Sequence, residues 1–217
     1  IRSAKLFAKD NKANVMKLYD NKHAPNPRRV RMVLAEKGIS YESEMMDIGA
    51  GDNLSDDFRS KNPSAKVPML ELDDGLCLAE TGAICRFLDE SYPETPLYGS
   101  GVKQRAMIDM WDHRMEYGLL IHAAMGFQHL SGFFNDRMTP VEAWGEGCVK
   151  NYLSVLPTLE AQLANNEWIA GDQFTIADIT AVCAIDFARV IKIRIGDEYP
   201  NIQRWHAAMK QRPSYAA

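Results

Sequence analysis

Residues 66–91 read KVPMLELDDGLCLAETGAICRFLDES, and this stretch combines two strand patterns with one helix pattern. Val67–Leu72 and Leu76–Ala79 are short apolar runs on either side of a turn-forming Asp-Asp-Gly sequence, which is typical of a hairpin. From Thr81 to Ser91 the apolar residues recur at helical spacing. The stretch therefore predicts two strands followed by a helix.

The residues before this stretch predict a strand, a helix and a further strand. Lys17–Asp20 and Tyr41–Ile48 have strand character, and Pro27–Lys37 carries apolar residues at helical spacing. A short helical piece is expected at Leu54–Ser60. The order βαβ and then ββα predicts a small α/β domain over residues 16–92 with a mixed four-stranded sheet.

The second half of the chain predicts helices alone. Residues 93–101 are rich in proline and glycine and are interpreted as a linker. Residues 102–217 predict an all-α domain, with helical patterns at Lys103–Met125, Pro140–Leu163, Ile176–Arg189 and Ile202–Lys210. Thr175 and Asp178 match the spacing of a capping box, which predicts a helix start.

Composition narrows the classes of function. Of the 217 residues, 46% are apolar and 25% charged, which is typical of a globular chain and excludes collagen and low-complexity disorder. The formal charge of −4 and the lack of a long basic run argue against nucleic acid as a partner. No apolar run approaches the roughly 20 residues of a membrane span, so no membrane partner is expected.

The cysteines and the first residues indicate the compartment. Four cysteines lie far apart without metal-ligand spacing, which favours reduced thiols in a cytoplasmic protein and predicts no metal. Residues 1–15 lack the apolar core of a secretory signal and are interpreted as a tag or another non-native extension.

Four stretches carry a resemblance to a known family. They are residues 17–31, 62–70, 78–84 and 168–178, and their order and spacing resemble the soluble glutathione transferases from Met16 to the end of the chain. The resemblance implies a thioredoxin-like, glutathione-binding domain followed by an all-helical domain, with glutathione as co-substrate. It also implies a homodimer.

The resemblance assigns roles to residues at the hairpin. Pro68 resembles the cis-proline of the family, which exposes the main chain of Val67 to the cysteinyl part of glutathione. Glu80 would accept from the γ-glutamyl ammonium, while Thr81 would hold the neighbouring carboxylate at the start of a helix. Lys66 would neutralise the glycyl carboxylate. The alternatives are an edge-strand proline, a threonine N-cap and solvated charges.

The thiol-activating residue is where the sequence departs from this family. Its members use a tyrosine at the end of the first strand, or a serine or cysteine just before the first helix, and Asp20 and Ala24 stand there instead. Tyr19 is one position out of step, and it should face the other side of the sheet as a core residue. Asn26 is the best remaining donor and is our candidate catalytic residue. The alternative is an ordinary N-cap followed by Pro27 at the first helical position.

Three functions remain open at this stage. The first is a glutathione transferase whose thiolate attacks a small apolar electrophile, in a pocket to which Trp111 and Met115 would contribute unless they are core residues. The second is a glutathione-dependent peroxide or disulfide reductase. The third is a non-catalytic carrier with a transferase fold, which the absence of a donor at Ala24 would favour.

Overall fold

The computed structural model describes residues 15–217, so the interpretation of residues 1–15 as an extension lies outside the described residues except for Val15. The N-terminal elements are β1 (Lys17–Asp20), α1 (Pro25–Glu36), β2 (Glu42–Met45), a 3-10 turn (Asp52–Leu54), α2 (Asp56–Lys61), β3 (Met69–Glu71), β4 (Cys77–Ala79) and α3 (Thr81–Ser91). The predicted bounds of β1 and α3 are confirmed. The strands β2, β3 and β4 are shorter than predicted, and α1 begins two residues before Pro27.

The four strands form one mixed sheet in the order β2-β1-β3-β4. Strand β2 runs parallel to β1, whereas β3 is antiparallel to both β1 and β4. Tyr19 pairs with Met69, and Met69 pairs with Ala79. The end of β1, the start of β3 and the end of β4 therefore lie at the same edge of the sheet.

The rest of the chain is helical, as predicted. Its elements are α4 (Val102–Met115), a π-helical turn (Glu116–Leu120), α5 (Ile121–Leu130), α6 (Glu142–Leu163), α7 (Ile176–Phe187), a 3-10 turn (Ala188–Ile191), α8 (Pro200–Lys210) and a terminal 3-10 turn (Pro213–Ala216). Between residues 102 and 217 the only strand-like pairing is an isolated bridge between Trp168 and Gly171. None of the helices that the structure describes is long and apolar enough to cross a membrane.

Two hydrophobic clusters cover the two faces of the sheet. The larger one joins Leu18 and Leu70 of the sheet to Val30 of α1, Ile84 of α3 and Ile179 of α7, so it is shared between the sheet and the helices. Helix α1 packs against both α3 and α7.

The smaller cluster lies on the opposite face of the sheet. It contains Tyr19, Met69 and Phe58 of α2. The hydroxyl of Tyr19 donates to Glu71 at 2.8 Å and accepts from Lys61 at 2.8 Å. Tyr19 is therefore a core residue on the face of the sheet opposite α1, as the alternation of side chains along a strand predicts.

The capping box at the start of α7 is confirmed. Asp178 is fully buried, and its carboxylate accepts from the N–H of Thr175 at 2.9 Å, the N–H of Ile169 at 2.9 Å and the indole N–H of Trp205 at 2.8 Å. One side chain thus ties the start of α7 to the segment before it and to α8.

We expect Asp178→Asn to lower the free energy of unfolding by about 3 kcal/mol. The new amide group would present its own hydrogens to the donors around it, and a buried donor left without an acceptor costs roughly 1–3 kcal/mol. Urea unfolding monitored by circular dichroism measures the change. Asp172→Asn, at an exposed position of the preceding loop, is the control and should shift stability by less than about 0.5 kcal/mol. Equal effects of both variants on the free energy of unfolding would contradict the role of Asp178 as a buried acceptor.

Candidate functional site

Three chain segments meet at the sheet edge defined above. They are the β1–α1 loop (residues 21–24), the Val67-Pro68 step before β3, and the Glu80-Thr81 step between β4 and α3. The Val67-Pro68 peptide bond is cis, which confirms the expectation for Pro68. The pairing register brings the expected binding positions Val67, Glu80 and Thr81 to one place.

Two buried asparagines fix the main chain that leads into the cis bond. The side-chain amide of Asn53 donates to the carbonyl of Ala65 at 2.7 Å, and that of Asn62 donates to the carbonyl of Lys66 at 2.8 Å. Within the described part of the chain, neither the N–H nor the C=O of Val67 bonds to another main-chain group. The Val67 main chain is therefore held in place with its own polar groups available. The Lys66 side chain is exposed.

The β4–α3 step presents a helix N-terminus. Glu80 occupies the N-cap position with φ 66°, in the left-handed region, and its side chain does not cap the helix. Thr81 is the first helical residue and is 6% exposed. The alternative that Thr81 is an N-cap is therefore wrong, because Glu80 takes that position. In residues 15–217, no main-chain acceptor bonds to the first three N–H groups of α3, so these groups can bind an anion.

Asn26 lies inside α1 rather than at its boundary. Ala24 is the N-cap, and the helix begins at Pro25. The interpretation of Asn26 as an N-cap with Pro27 at the first position is therefore wrong. Pro25 and Pro27 have no N–H, so the N–H of Asn26 is the only main-chain donor among the first three helical residues. Asn26 therefore carries a main-chain donor and a side-chain amide in the first turn of α1.

A buried arginine orients the Asn26 side chain. Arg29 donates to Oδ1 of Asn26 at 3.3 Å, and because a guanidinium has donors alone, the oxygen of the amide must face Arg29. The NH2 group of Asn26 therefore points away from Arg29 and is available. Arg29 is fully buried, and both its Nη atoms donate to Glu116, at 3.0 and 3.4 Å.

The charge of Arg29 is balanced inside the protein. Burial opposes the charged form, but Asp112 and Glu116 raise the pKa of Arg29, so the guanidinium stays protonated. The Asp112 carboxylate lies 3.9 Å from Arg29 and accepts from the hydroxyl of Thr180 at 2.5 Å. The Asn26 side chain is therefore held by an arginine whose charge is balanced by Asp112 and Glu116.

Asp20 is paired rather than free. It is 2% exposed and forms an ion pair with Arg31 of α1. The same guanidinium also donates to the carbonyl of Asn21 at 3.4 Å. The side chain of Asn21 in turn accepts from the N–H of His23 and of Ala24, both at 3.0 Å. The pairing neutralises the carboxylate at the end of β1 and fixes the loop before Asn26.

The β1–α1 loop also borders an open cleft of about 670 Å³. The other walls come from β2, the end of α7, the following 3-10 turn and the terminal segment; apolar lining residues are Pro25, Met45, Phe187 and Val190. Trp111 and Met115 do not line this cleft. They are core residues, 4% and 1% exposed, and they line a separate cleft between α4 and α6. The structure therefore does not bring the two expected pocket residues to the loop.

Sequence reasoning missed the contacts that join α1 to the helical half. Arg28 forms an ion pair with Asp186 of α7 at 2.6 Å and donates to the carbonyl of Tyr215 at 3.0 Å. His206 of α8 lies 2.8 Å from the same carboxylate. Arg28 and Asp186 are 158 positions apart, so no local pattern signals the pair.

An α/β region with a cis-proline at the sheet edge, followed by helices that pack on its first helix, defines a class of proteins with a thioredoxin-like N-terminal half. Family models place the chain within that class. The "Glutathione S-transferase, N-terminal domain" matches residues 14–90, and the "Glutathione S-transferase, C-terminal domain" matches residues 110–213. The chain belongs to the soluble glutathione S-transferase family.

Individual proteins agree with this assignment. Glutathione S-transferase 2 of Saccharomyces cerevisiae is 31% identical over 203 residues, covering 92% of this chain and 87% of the yeast protein. A glutathione S-transferase domain-containing protein of Marinobacter aquaeolei has a similar structure, with a TM-score of 0.88, 38% identity and coverage of 92% and 99%. Ure2p in complex with S-hexylglutathione has a TM-score of 0.81, 27% identity and coverage of 93% and 96%.

We expect Asp186→Asn to remove a pH dependence of stability. Burial opposes ionisation of Asp186, but hydrogen bonds from His206 and Arg28 lower its pKa to about 2. A carboxyl whose pKa is lower in the folded state stabilises the fold above its unfolded pKa, and this contribution disappears as the pH falls toward the folded value. The difference in unfolding free energy between the native sequence and the variant should shrink from about pH 6 to about pH 3. Urea unfolding across this range measures it, and a constant difference would contradict the ion pair.

Proposed function

We propose that this protein binds glutathione at the sheet edge, ionises the glutathione thiol, and transfers glutathione to a small apolar electrophile. We also propose that it works in the cytoplasm as a homodimer. One observation carries the proposal. The strand register brings the Val67 main chain and the N-terminus of α3 to the edge where β1 ends, and α1, which carries Asn26, begins after a loop of four residues. Together these groups match the peptide, carboxylate and thiol of glutathione.

The binding half of the proposal follows from charge and hydrogen-bonding capacity. The N–H and C=O of Val67 would pair with the cysteinyl residue in the manner of an added strand. Thr81 would hold the γ-glutamyl carboxylate with its hydroxyl and N–H, aided by the α3 dipole. Glu80, exposed at the same step, would accept from the ammonium. Lys66 would face the glycyl carboxylate.

Asn26 would activate the thiol with two hydrogen-bond donors. The Asn26 NH2 and N–H groups would both donate to the sulfur, at the positive end of α1. Lowering a thiol pKa from about 8.5 to about 7 requires roughly 2 kcal/mol, which a charge-accepting hydrogen bond and a helix dipole can supply. The thiolate sulfur then bonds to the electrophilic carbon, the leaving group departs with its electron pair, and the thiol proton goes to solvent. No protein atom forms a covalent intermediate.

Two further candidates use the same bound glutathione. In a peroxide or disulfide reductase the thiolate would attack oxygen or sulfur instead of carbon, which the Asn26 donors would serve equally well. A non-catalytic carrier is favoured by Ala24, whose side chain has no hydrogen-bond donor, and by the similarity to Ure2p, which is not named as a transferase.

Turnover of an aryl chloride, a mixed disulfide and a hydroperoxide separates the two reactions. Retention on immobilised glutathione without any turnover would support the carrier.

We expect Asn26→Ala to raise the pKa of enzyme-bound glutathione by about one unit and to lower kcat/KM about tenfold at neutral pH. The side-chain donor is lost, and one pKa unit equals about 1.4 kcal/mol. The ultraviolet absorbance of the bound thiolate, followed against pH, measures the pKa. Asn165→Ala, at an exposed site beyond the end of α6, is the control and should leave both quantities unchanged. An unaltered pKa in Asn26→Ala would exclude the side chain as a thiolate donor.

We expect Thr81→Val to raise the dissociation constant of glutathione about tenfold, because a hydrogen bond to a carboxylate is lost while the side-chain shape is kept. Thr81→Ser retains the hydroxyl and should stay within about twofold of the native value. Isothermal titration calorimetry measures both. If valine binds as tightly as serine, the hydroxyl does not contact the ligand.

A further inference from the structure

The cleft beside the β1–α1 loop is positively charged in a chain whose formal net charge is −4. Its cationic lining residues are Lys22, Arg28, Arg31 and Arg189, and its anionic ones are Asp20 and Asp186. Counting side chains alone, four positive and two negative charges leave an excess of two positive charges. His23, also in the lining, adds a further charge when protonated.

The excess positive charge comes from two side chains. Arg28 is paired with Asp186, and Arg31 with Asp20, so these four charges cancel within the wall. Lys22 and Arg189 are exposed, and neither forms an ion pair with any residue in the described part of the chain. They come from different elements, the β1–α1 loop and the 3-10 turn after α7.

The same cleft offers apolar surface. Met45 at the end of β2 is 54% exposed, and Val190 beside Arg189 is 40% exposed. Phe187 lines the cleft as well, and its ring is backed by Phe127 with centroids 5.7 Å apart. An apolar surface of this kind, bordered by two unpaired cations, is suited to a molecule with a hydrophobic body and one anionic group.

We infer that this cleft takes a small apolar molecule bearing a carboxylate, which in the proposed reaction is the electrophile. The assignment of that molecule as the electrophile rests on the proposed function. It is supported by residues 22–25, which line the cleft and directly precede Asn26. In the transfer, the sulfur of glutathione bonds to the electrophilic carbon and the leaving group departs with its electron pair. The carboxylate takes no part in the chemistry and serves to place the apolar body against Met45 and Phe187.

Binding tests the cleft without requiring turnover. Isothermal titration calorimetry with 3,5-dinitrobenzoate and with the neutral 3,5-dinitrobenzamide should give about fivefold tighter binding of the benzoate, and the difference should vanish at about 0.5 M salt. The double variant Lys22→Gln/Arg189→Gln should bind both compounds equally. Lys103→Gln/Arg194→Gln, which changes the net charge by the same amount at exposed residues outside the lining, should retain the preference. Equal affinities in the unaltered protein, or equal behaviour of the two double variants, would overturn the inference.

Kinetics test the link to the reaction. With 4-chloro-3,5-dinitrobenzoate and its amide as electrophiles, kcat/KM divided by the uncatalysed rate should favour the benzoate about fivefold, and the cleft double variant should remove this preference. If the protein neither binds glutathione nor turns over either compound while calorimetry still shows the benzoate preference, the proposed function fails and the cleft assignment stands. Turnover without preference for the benzoate overturns the inference and leaves the proposed function intact.

Discussion

The structure depends on the way in which the arginines of α1 are paired. Arg28, Arg29 and Arg31 bind acids from three different parts of the chain: Asp186 of α7, Glu116 after α4, and Asp20 of β1. Arg29 and Arg31 are buried, and removing the partner of a buried charge costs about 3–5 kcal/mol, so these two pairs strongly disfavour arrangements in which α1 is shifted or rotated. The start of α1, and with it Asn26, is therefore located by the sheet and by the helical half together.

This arrangement explains why part of the fold could be predicted and part could not. The bounds of β1 and α3 are predictable from local sequence: β1 is a short apolar pair between charged residues, and α3 carries apolar residues at helical spacing. The start of α1 was placed two residues late because Pro25 and Pro27 both suit a first helical turn, and local sequence does not say which one opens it. The pairing of Arg28 with Asp186 depends on two distant segments meeting, for which no local pattern exists.

The candidate site divides in the same way. Lys66, Val67, Glu80 and Thr81 lie within 16 consecutive residues, so a resemblance over a short stretch is enough to predict roles for them. The proposed electrophile site has no such stretch. Trp111 and Met115 show the helical spacing of a core stripe, and the structure places both in the core. The cleft is instead assembled from β2, the end of α7 and the terminal segment, which are far apart in the chain.

The two prolines around Asn26 have a chemical consequence beyond helix initiation. A helix start ordinarily offers several N–H groups to an anion, but Pro25 and Pro27 remove two of the first three. The remaining N–H group among these three residues belongs to Asn26, and the side-chain amide of Asn26 is oriented by the fully buried Arg29. Because the chain carries a net negative charge, its overall field would repel an anionic ligand rather than attract it. Any anion bound at the sheet edge or in the cleft would therefore have to be held by a few local donors and cations rather than by the overall field.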